Sequence, residues 1–304
     1  MKILVTGGAG FIGSHVVDAL VSAGHTVTVV DSLVTGSKEN INSAARFVQS
    51  DITSPNLAEI FAECRPETVF HLAAQIDVRK SVADPVGDAT VNIIGSLNVL
   101  EAARQSGVRH FIFASSGGAV YGDTKNRPTP EGNPEQPASP YGIAKLTVEH
   151  YLRVYGVQYG LRTVALRYSN VYGPRQNALG EAGVVAIFCR KLIAGEEAVI
   201  NGDGEQTRDY VYVADVVSAN LAALAYGKSG VFNIGTGVEI SVNAVADRIR
   251  SSIKSGSLLH GPGKSGEQRT SCLNCQLARQ ELSWKSDSNF EQGITQTVAW
   301  FRHQ

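Results

Sequence analysis

The sequence predicts an α/β fold, a Rossmann-type doubly wound parallel sheet with a smaller, interleaved C-terminal α/β domain. Three observations predict it. Short β-branched runs alternate with helical patterns, the runs are almost continuously apolar, and a glycine-rich turn follows the first run. Strand–helix alternation favours a parallel sheet covered on both faces, where strands are apolar throughout. The 304 residues suffice for one large domain and a smaller one.

The elements follow from periodicity and from the residues that end them. A helix over residues 11–23 follows the first strand and stops at Gly24, a favoured helix end. Apolar spacing predicts two more helices, over residues 91–105 and 141–159. The predicted strands are residues 2–6, 26–30, 46–49, 68–72, 110–114 and 163–167.

The pattern loosens after about residue 168, where Gly, Asn and Gln become frequent. Residues 210–213 and 231–234 are predicted to return to the main sheet, and residues 227–230 and 256–266 are predicted to be loops. The first domain is therefore expected to comprise residues 1–168 and about 208–236. The second is expected to comprise residues 169–207 and 237–304.

The composition excludes several classes of function. The net charge is −1, so the sequence supplies no basic surface for nucleic acid or an anionic membrane. No apolar run is long enough to span a bilayer. The apolar N-terminus runs directly into glycines, which indicates a buried strand and turn and not a signal peptide. We expect a cytoplasmic protein.

Cysteines are sparse, at Cys64, Cys189, Cys272 and Cys275. So few in a chain of this length do not indicate a disulfide framework, and a reducing compartment is expected. Cys272 and Cys275 form a CxxC, but no second ligand pair at zinc spacing accompanies them. We predict no metal site and interpret the pair as incidental, with a redox pair as the alternative.

A phosphate-binding turn is indicated by Gly7, Gly10 and Gly13, spaced GxxGxxG between the first strand and the first helix. Such a turn lets the backbone approach a pyrophosphate at the helix N-terminus, where Phe11 and Ile12 stand. Asp31 ends the second strand, 18 residues after Gly13. A carboxylate there accepts hydrogen bonds from the adenosine ribose and repels a 2′-phosphate, which predicts NAD over NADP.

Other strand ends extend the predicted cofactor site. Asp51 follows the third strand, where its side chain would meet the adenine amino group; a turn residue is the alternative. Small residues after His71 would leave room for the cofactor. The remaining predicted cofactor-binding residues are Ser32, Ile52, Leu72, Ala73, Ala74 and Tyr168.

A candidate catalytic pair is Tyr141 and Lys145, a YxxxK whose side chains share one helix face. A phenol has an ordinary pKa near 10. The Lys145 ammonium and an oxidised nicotinamide would stabilise the phenolate and lower the pKa of Tyr141. The pair is suited to take a proton from a sugar hydroxyl while hydride leaves the same carbon. Lys145 would also contact the nicotinamide ribose.

A serine-rich strand end precedes this pair. Ser115 and Ser116 open SSGGAVYG at the carboxyl end of a predicted strand, where ligands bind in open α/β folds. A hydroxyl there would bond the reacting oxygen and relay its proton to Tyr141. An ordinary Ser-Gly turn is the alternative.

These motifs together resemble the extended short-chain dehydrogenase/reductase family, and within it nucleotide-sugar epimerases of the UDP-glucose (UDP-galactose) 4-epimerase kind. The resemblance runs along the whole chain. Its carriers are TGGAGFIGSH, HLAA, SSGGAVYG, SPYGIAK, LRYSNVYGPRQ, GDGEQTRDYVYVADV, FNIGTG and the tail from GEQRTSCLNCQLARQELSWK to VAWF. It implies tightly bound NAD in the first domain, a UDP-sugar in the second, and a homodimer formed through helices 91–105 and 141–159.

The resemblance also implies residue roles. Tyr141 would be the general base with Lys145 as its partner, and Asn92 would lie in the cofactor cleft with Ala73. Asn170 and Arg208 would contact the substrate diphosphate. The further substrate-binding residues implied are Ser116, Val184, Phe188, Asn201, Glu267, Arg269 and Ser271.

Two positions depart from the common family pattern. Gly117 stands where many members have a third, catalytic hydroxyl, so we expect Ser116 to serve, with Ser115 second. Ser271 aligns with a gate residue beside the sugar, and its small size would admit N-acetylhexosamines.

Several related activities were weighed against the epimerase. Gly-Gly-Ala at residues 117–119 argues against a dehydratase or decarboxylase, which need a carboxylate there. A uronate 4-epimerase stays open. A non-catalytic NAD-binding protein is disfavoured because both Tyr141 and Lys145 are present.

Overall fold

The structure is a computed structural model and describes residues 1–178, 183–263 and 268–304. The strands are β1 Lys2–Thr6, β2 Thr26–Asp31, β3 Arg46–Gln49, β4 Thr68–His71, β5 His110–Ser116, β6 Arg162–Tyr168, β7 Asn170–Tyr172, β8 Glu197–Asn201, β9 Thr207–Tyr212, β10 Gly230–Ile234, β11 Glu239–Ser241, β12 Ser257–Gly261 and β13 Thr270–Ser271.

The helices are α1 Phe11–Ser22, α2 Leu57–Cys64, α3 Val78–Ala83, α4 Pro85–Ala89, α5 Ser96–Gln105, α6 Gly117–Val120, α7 Pro140–Tyr159, α8 Val184–Ile193, α9 Val213–Ala225, α10 Val242–Ile253, α11 Gln276–Glu281 and α12 Phe290–Phe301. A 3₁₀ turn spans Lys38–Asn40, and a π-helical turn at Thr90–Gly95 leads into α5. The single helix predicted over residues 91–105 is therefore π-helical in its first part.

A parallel sheet of seven strands forms the centre, in the order β10-β6-β5-β4-β1-β2-β3. The predicted doubly wound fold is confirmed, and the predicted strands of the first half end within two residues of the observed ones. The chain order reverses at β1, which lies between β2 and β4. In open sheets of this kind, ligands bind at that crevice, beyond the carboxyl ends of the strands.

Helices cover both faces of this sheet. Helices α1, α9 and α11 bury apolar side chains against one face, and α2, α5 and α7 bury theirs against the other. A third apolar cluster lies among α8, α10 and α12, beside the smaller sheets. This layering explains why the strand runs are almost wholly apolar, because both faces of each strand are covered.

The second half of the chain builds two smaller sheets. Strand β9 pairs with β7, β11 and β13, and β12 pairs with β8. The return of residues 231–234 to the main sheet is confirmed, since β10 pairs with β6. The expectation for residues 210–213 was wrong, because β9 lies in a smaller sheet. The loop prediction for residues 256–266 was wrong over β12, since a short apolar run does not itself specify its partner strand.

The boundary between the two proposed domains follows these pairings. The returning segment begins at α9, which packs against the main sheet, and not near residue 208. The division itself remains a proposal. Across the described ranges, no helix has the length and apolar character to cross a membrane; the predicted cytoplasmic localisation remains a prediction.

Candidate active site

The glycine turn after β1 is shaped by close backbone contacts. Gly7 has a φ of +73°, and a Cβ there would lie 2.6 Å from the Ala73 nitrogen. A Cβ on Gly13 would lie 2.1 Å from the Gly7 carbonyl oxygen. Both positions therefore need glycine. Helix α1 begins at Phe11, and its first N–H groups have no partner within the helix, so the turn fits a dinucleotide pyrophosphate.

Asp31 closes this turn from the end of β2. Its Oδ2 accepts a hydrogen bond from the Ala9 N–H at 2.9 Å, and its Oδ1 accepts one from the Leu33 N–H at 2.8 Å. The side chain therefore shapes the glycine turn directly. Each carboxylate oxygen has room for a second bond, so the arrangement fits the predicted ribose contact. Ser32 follows and is partly buried.

The strand ends beside this turn are closely packed. Asp51 Oδ1 accepts bonds from the Thr53 N–H at 2.8 Å and the Thr53 hydroxyl at 2.7 Å, which is the turn arrangement given as its alternative. Ile52 is buried. The Leu72 N–H donates to Thr6 O at 3.1 Å, and Ala73 lies next to Gly7 with Ala74 following it in the chain.

Asn92 and Tyr168 have their side chains bonded within the protein. Asn92 is buried; its amide accepts from the Gln75 N–H and donates to the Gln75 carbonyl, both at 2.9 Å. The Tyr168 hydroxyl accepts from Asn220 Nδ2 of α9 at 2.8 Å. Asn92 therefore fixes the chain that follows β4, and Tyr168 belongs to the core beside α9.

Tyr141 and Lys145 stand one turn apart at the start of α7, where Ser139 caps the helix. Ser116 lies at the carboxyl end of β5, close enough to the Tyr141 hydroxyl to oppose the rise in the pKa of Tyr141. Lys145 Nζ lies 5.7 Å from the centre of the Tyr141 ring and donates to Ala114 O at 2.8 Å. The predicted base and the predicted proton relay therefore lie close together.

The electrostatics of this pair differ from the expectation. Burial raises the pKa of Tyr141 to about 12, with Asp88 adding to the rise and Ser116 opposing it. The expected lowering by Lys145 is absent, since its Nζ bonds a backbone carbonyl and not the phenol. Burial also lowers the pKa of Lys145 to about 8, against the pull of Asp88 and Glu149.

Ser115 and Ser116, the two serines that end β5, have different neighbours. Ser115 Oγ donates to Glu149 Oε1 at 2.5 Å, and Glu149 is paired with buried Arg167 at 2.6 Å. Glu149 lies on α7 about two turns beyond Tyr141, so the Ser115 hydroxyl is committed to a different part of the helix from the one that carries Tyr141. The prediction of Ser115 as a second catalytic and cofactor-binding hydroxyl is therefore not supported.

Strand β13 and the residues following it pack against Gly117 and Gly118, the two glycines after Ser116. A Cβ at Gly117 would lie 2.6 Å from Leu273 Cδ1, so Leu273 takes the space of a side chain there. A Cβ at Gly118 would lie 3.5 Å from Ser271 Oγ. Ser271 is buried and lies next to the turn that follows Ser116, and its place beside the sugar stays a prediction.

A cavity of about 400 Å³ opens between α8 and the strands β7, β8 and β9. Five predicted substrate-binding residues line it: Asn170, Val184, Phe188, Asn201 and Arg208. Arg208 comes from β9, and its Nη1 donates to Thr207 O at 2.7 Å. The cavity therefore combines a guanidinium, amides and an apolar wall, which suits a nucleotide diphosphate.

Other residues of the cavity were missed. Arg79, Gln176, Gln206 and Tyr210 also line it. The last three stand inside the quoted motifs LRYSNVYGPRQ and GDGEQTRDYVYVADV, which was the available signal. No sequence signal indicated Arg79, because its position at the cavity depends on how α3 packs in the fold.

Helix α3 links the cavity to the catalytic pair. Arg79 lines the cavity, and Ser81 Oγ accepts a hydrogen bond from the Tyr141 N–H at 3.2 Å. Helix α3 thus contacts both the cavity and the first turn of α7.

One predicted substrate residue, Arg269, is not brought to this site. Arg269 forms a two-pronged ion pair with Asp203, at 2.8 and 2.7 Å, and its side chain is 56% exposed. This pairing does not support its predicted diphosphate contact, and Arg269 does not line the cavity. Glu267 lies outside the described residues.

The CxxC cysteines are buried and not disulfide-bonded. Burial raises the pKa of Cys272 to about 12 and raises that of Cys275 as well. A redox pair needs accessible thiolate, so these thiols favour the incidental interpretation. In the described parts of the chain, no cluster of side chains could hold a metal ion.

Comparison with known proteins gives full-length matches. A model described as the NAD dependent epimerase/dehydratase family matches residues 3–235. A UDP-glucose 4-epimerase of Mycolicibacterium smegmatis is 45% identical over 312 residues, covering 100% of this chain and 99% of the relative.

Two solved structures are similar along the whole chain. A UDP-glucose 4-epimerase from Thermotoga maritima, with UDP-glucose, is 49% identical with a TM-score of 0.98, covering 100% of this chain and 99% of that one. A UDP-glucose 4-epimerase from Thermus thermophilus, in complex with NAD, is 42% identical with a TM-score of 0.94, covering 99% of both chains.

Proposed function

We propose, from the premise that this chain belongs to the NAD dependent epimerase/dehydratase family, that it is a UDP-glucose/UDP-galactose 4-epimerase. The observation that carries the proposal is the grouping of Tyr141 with Ser116 and Lys145, with Lys145 Nζ 5.7 Å from the centre of the Tyr141 ring. The names of the similar full-length proteins support the choice of reaction.

In the proposed reaction, Tyr141 takes the proton of the sugar C4 hydroxyl and Ser116 relays it. When bound, NAD supplies the hydride acceptor and donor at C4, so that the 4-keto sugar is reduced again from its opposite face. Burial and the charge of Asp88 both oppose the phenolate of Tyr141. The Lys145 ammonium, held by Ala114 O, supplies positive charge close to the phenol.

The anchoring of the nucleotide is assigned to the cavity. Arg208 and Asn170 would hold the diphosphate, and Val184, Phe188 and Asn201 would line the uridine side. Epimerisation needs the sugar to present both faces to one hydride site. A diphosphate held firmly at one end leaves the sugar free to turn.

A second candidate substrate is the N-acetylated UDP-hexose. Ser271 is small, and it lies next to Gly118 in the turn that follows Ser116. Neither residue has a large side chain that would exclude an N-acetyl group. UDP-N-acetylglucosamine is therefore the second substrate to test.

We also propose that the protein forms a homodimer through the π-helical turn with α5 and through α7. Helix α7 leaves apolar side chains exposed, among them Ile143, Val154 and Val157, at 51%, 43% and 73%. Ile94 of the π-helical turn is 52% exposed. A shared apolar surface of this kind suits burial against a second copy. Sedimentation velocity would give a monomer mass if the proposal is wrong.

An anomeric-proton NMR time course tests the function. Purified protein is incubated without reductant with UDP-glucose, UDP-N-acetylglucosamine or UDP-glucuronate, beside Tyr141→Phe as control. A C4 epimer from UDP-glucose supports the main proposal, and one from the N-acetyl sugar supports the second candidate. No epimer in any tube, with NAD bound, would refute the 4-epimerase.

A further inference from the structure

A buried carboxylate lies behind the catalytic pair without a complete set of partners. Asp88 of α4 is 2% exposed, and its Oδ1 accepts bonds from Gln75 Nε2 at 2.9 Å and Asn92 Nδ2 at 2.8 Å. Its Oδ2 is buried and has no hydrogen-bond partner among the residues that the structure describes. Leaving one oxygen of a buried carboxylate unpaired is unfavourable, so the position needs a functional explanation.

The negative charge of Asp88 acts on Tyr141 and Lys145. Helix α4 packs against α7. The carboxylate of Asp88 raises the pKa of Tyr141 and is the first group opposing the fall in the pKa of Lys145. The other groups facing Lys145 are Glu149, which acts in the same direction, and His71 on β4.

His71, the last residue of β4, is neutral, and its hydrogen bonds hold the neighbouring side chains in place. Burial lowers its pKa to about 3. Ser96 donates its hydroxyl proton to the Asn92 carbonyl at 2.6 Å, so the 2.9 Å bond between Ser96 and His71 uses the proton on His71 Nε2. His71 Nδ1 then accepts from the Thr6 hydroxyl at 2.6 Å. These hydrogen bonds connect His71 through Ser96 and Asn92 to Asp88. The end of the sheet therefore sets the orientation of the Asp88 carboxylate.

We propose that Asp88 is a positioning residue for the reaction. One oxygen anchors Gln75 and Asn92 beside the cofactor turn, and the charge of the other keeps Lys145 in its ammonium form next to Tyr141. The inference rests on the proposed epimerase function. Glu149 cannot replace Asp88, since its carboxylate is already committed to Arg167 and Ser115.

The consequence is a defined effect on pH dependence. Without the charge of Asp88, the Lys145 ammonium loses stabilisation and the Tyr141 phenolate loses an opposing charge. Both pKa values therefore fall, whichever group a given limb of the profile reports. A merely structural role would lower activity without moving the limbs.

The test compares Asp88→Asn with Asp84→Asn in the full-length protein loaded with NAD. Asparagine at 88 keeps an acceptor for Gln75 and Asn92 and removes only the charge. Asp84 caps the same helix from an exposed position, and asparagine caps equally well, so this control removes a screened charge. We expect both limbs of the kcat profile of Asp88→Asn to move to lower pH by about half a unit or more, with the control unmoved.

A readout independent of activity separates this inference from the proposed function. The ultraviolet difference spectrum of tyrosinate, corrected with Tyr141→Phe, titrates Tyr141 directly; the midpoint should move to lower pH in Asp88→Asn. An unmoved midpoint and an unmoved kcat profile would overturn the inference. A shifted midpoint without epimerase activity in the wild type would overturn only the proposed function. Should Asp88→Asn not fold, Asp88→Ser takes its place.

Discussion

Ser115 and Ser116 are adjacent in the chain, and the structure predicts opposite consequences for losing each hydroxyl. Ser116 lies beside the Tyr141 hydroxyl, whereas Ser115 donates at 2.5 Å to the buried Glu149 carboxylate. Ser116→Ala removes a proton relay, and a positioned acid–base group contributes about 10²–10⁴-fold to rate. We expect kcat to fall by about 10²-fold or more with little loss of stability.

Ser115→Ala removes a hydrogen bond to a charged group, worth about 1.5–3 kcal/mol. Glu149 keeps three bonds to Arg167, at 3.0, 3.1 and 2.6 Å, so its carboxylate is not left unpaired. The lower end of the range, about 1.5 kcal/mol, is therefore expected. The kcat should stay within about threefold of wild type, because no transition-state contact is lost.

The assay is the NMR time course for kcat together with urea unfolding for the free energy of unfolding. The two alanine variants serve as controls for each other, since each removes one hydroxyl from the same strand. A large loss of kcat in Ser115→Ala with normal kcat in Ser116→Ala would refute the assignment of the two serines of β5.

Three further predictions follow from the site. Tyr141→Phe should lower kcat by about 10²–10⁴-fold while NAD still co-purifies, checked by turnover and cofactor absorbance; retained turnover would contradict its role as base. Arg208→Ala should raise KM for the UDP-sugar more than it lowers kcat. Arg208→Lys should be intermediate, because an ammonium cannot bind phosphate in two-pronged fashion. An unchanged KM in steady-state kinetics would exclude a diphosphate contact. The folded pKa values of His71 and His110, about 3 and about 4, lie below the ordinary 6.5, so the unfolded chain binds more protons. The free energy of unfolding should therefore fall as pH drops from about 6.5 toward 4. Urea unfolding with a constant free energy from pH 7 to 5 would contradict this.

The sequence by itself determined the main sheet and the core of the catalytic site. Buried parallel strands, the turn at Gly7 to Gly13, and the one-turn spacing of Tyr141 and Lys145 are local patterns, written in neighbouring residues. Their positions in the structure match the prediction because local geometry alone decides them.

Only the tertiary structure decided which distant side chains and strands these local elements contact. Ser115 and Ser116 both meet α7, and only the packing of that helix on β5 places Glu149 beside Ser115 and Tyr141 beside Ser116. The small-sheet place of β9 and the ion pair of Arg269 with Asp203 depend in the same way on distant partners.

Asp88 shows the limit most clearly, since it lies 57 residues from Lys145 in the chain. Its carboxylate acts on the lysine only because α4 and α7 pack together. Pairings of this kind depend on burial and on competing hydrogen bonds over the whole fold, and no local pattern in the sequence encodes them.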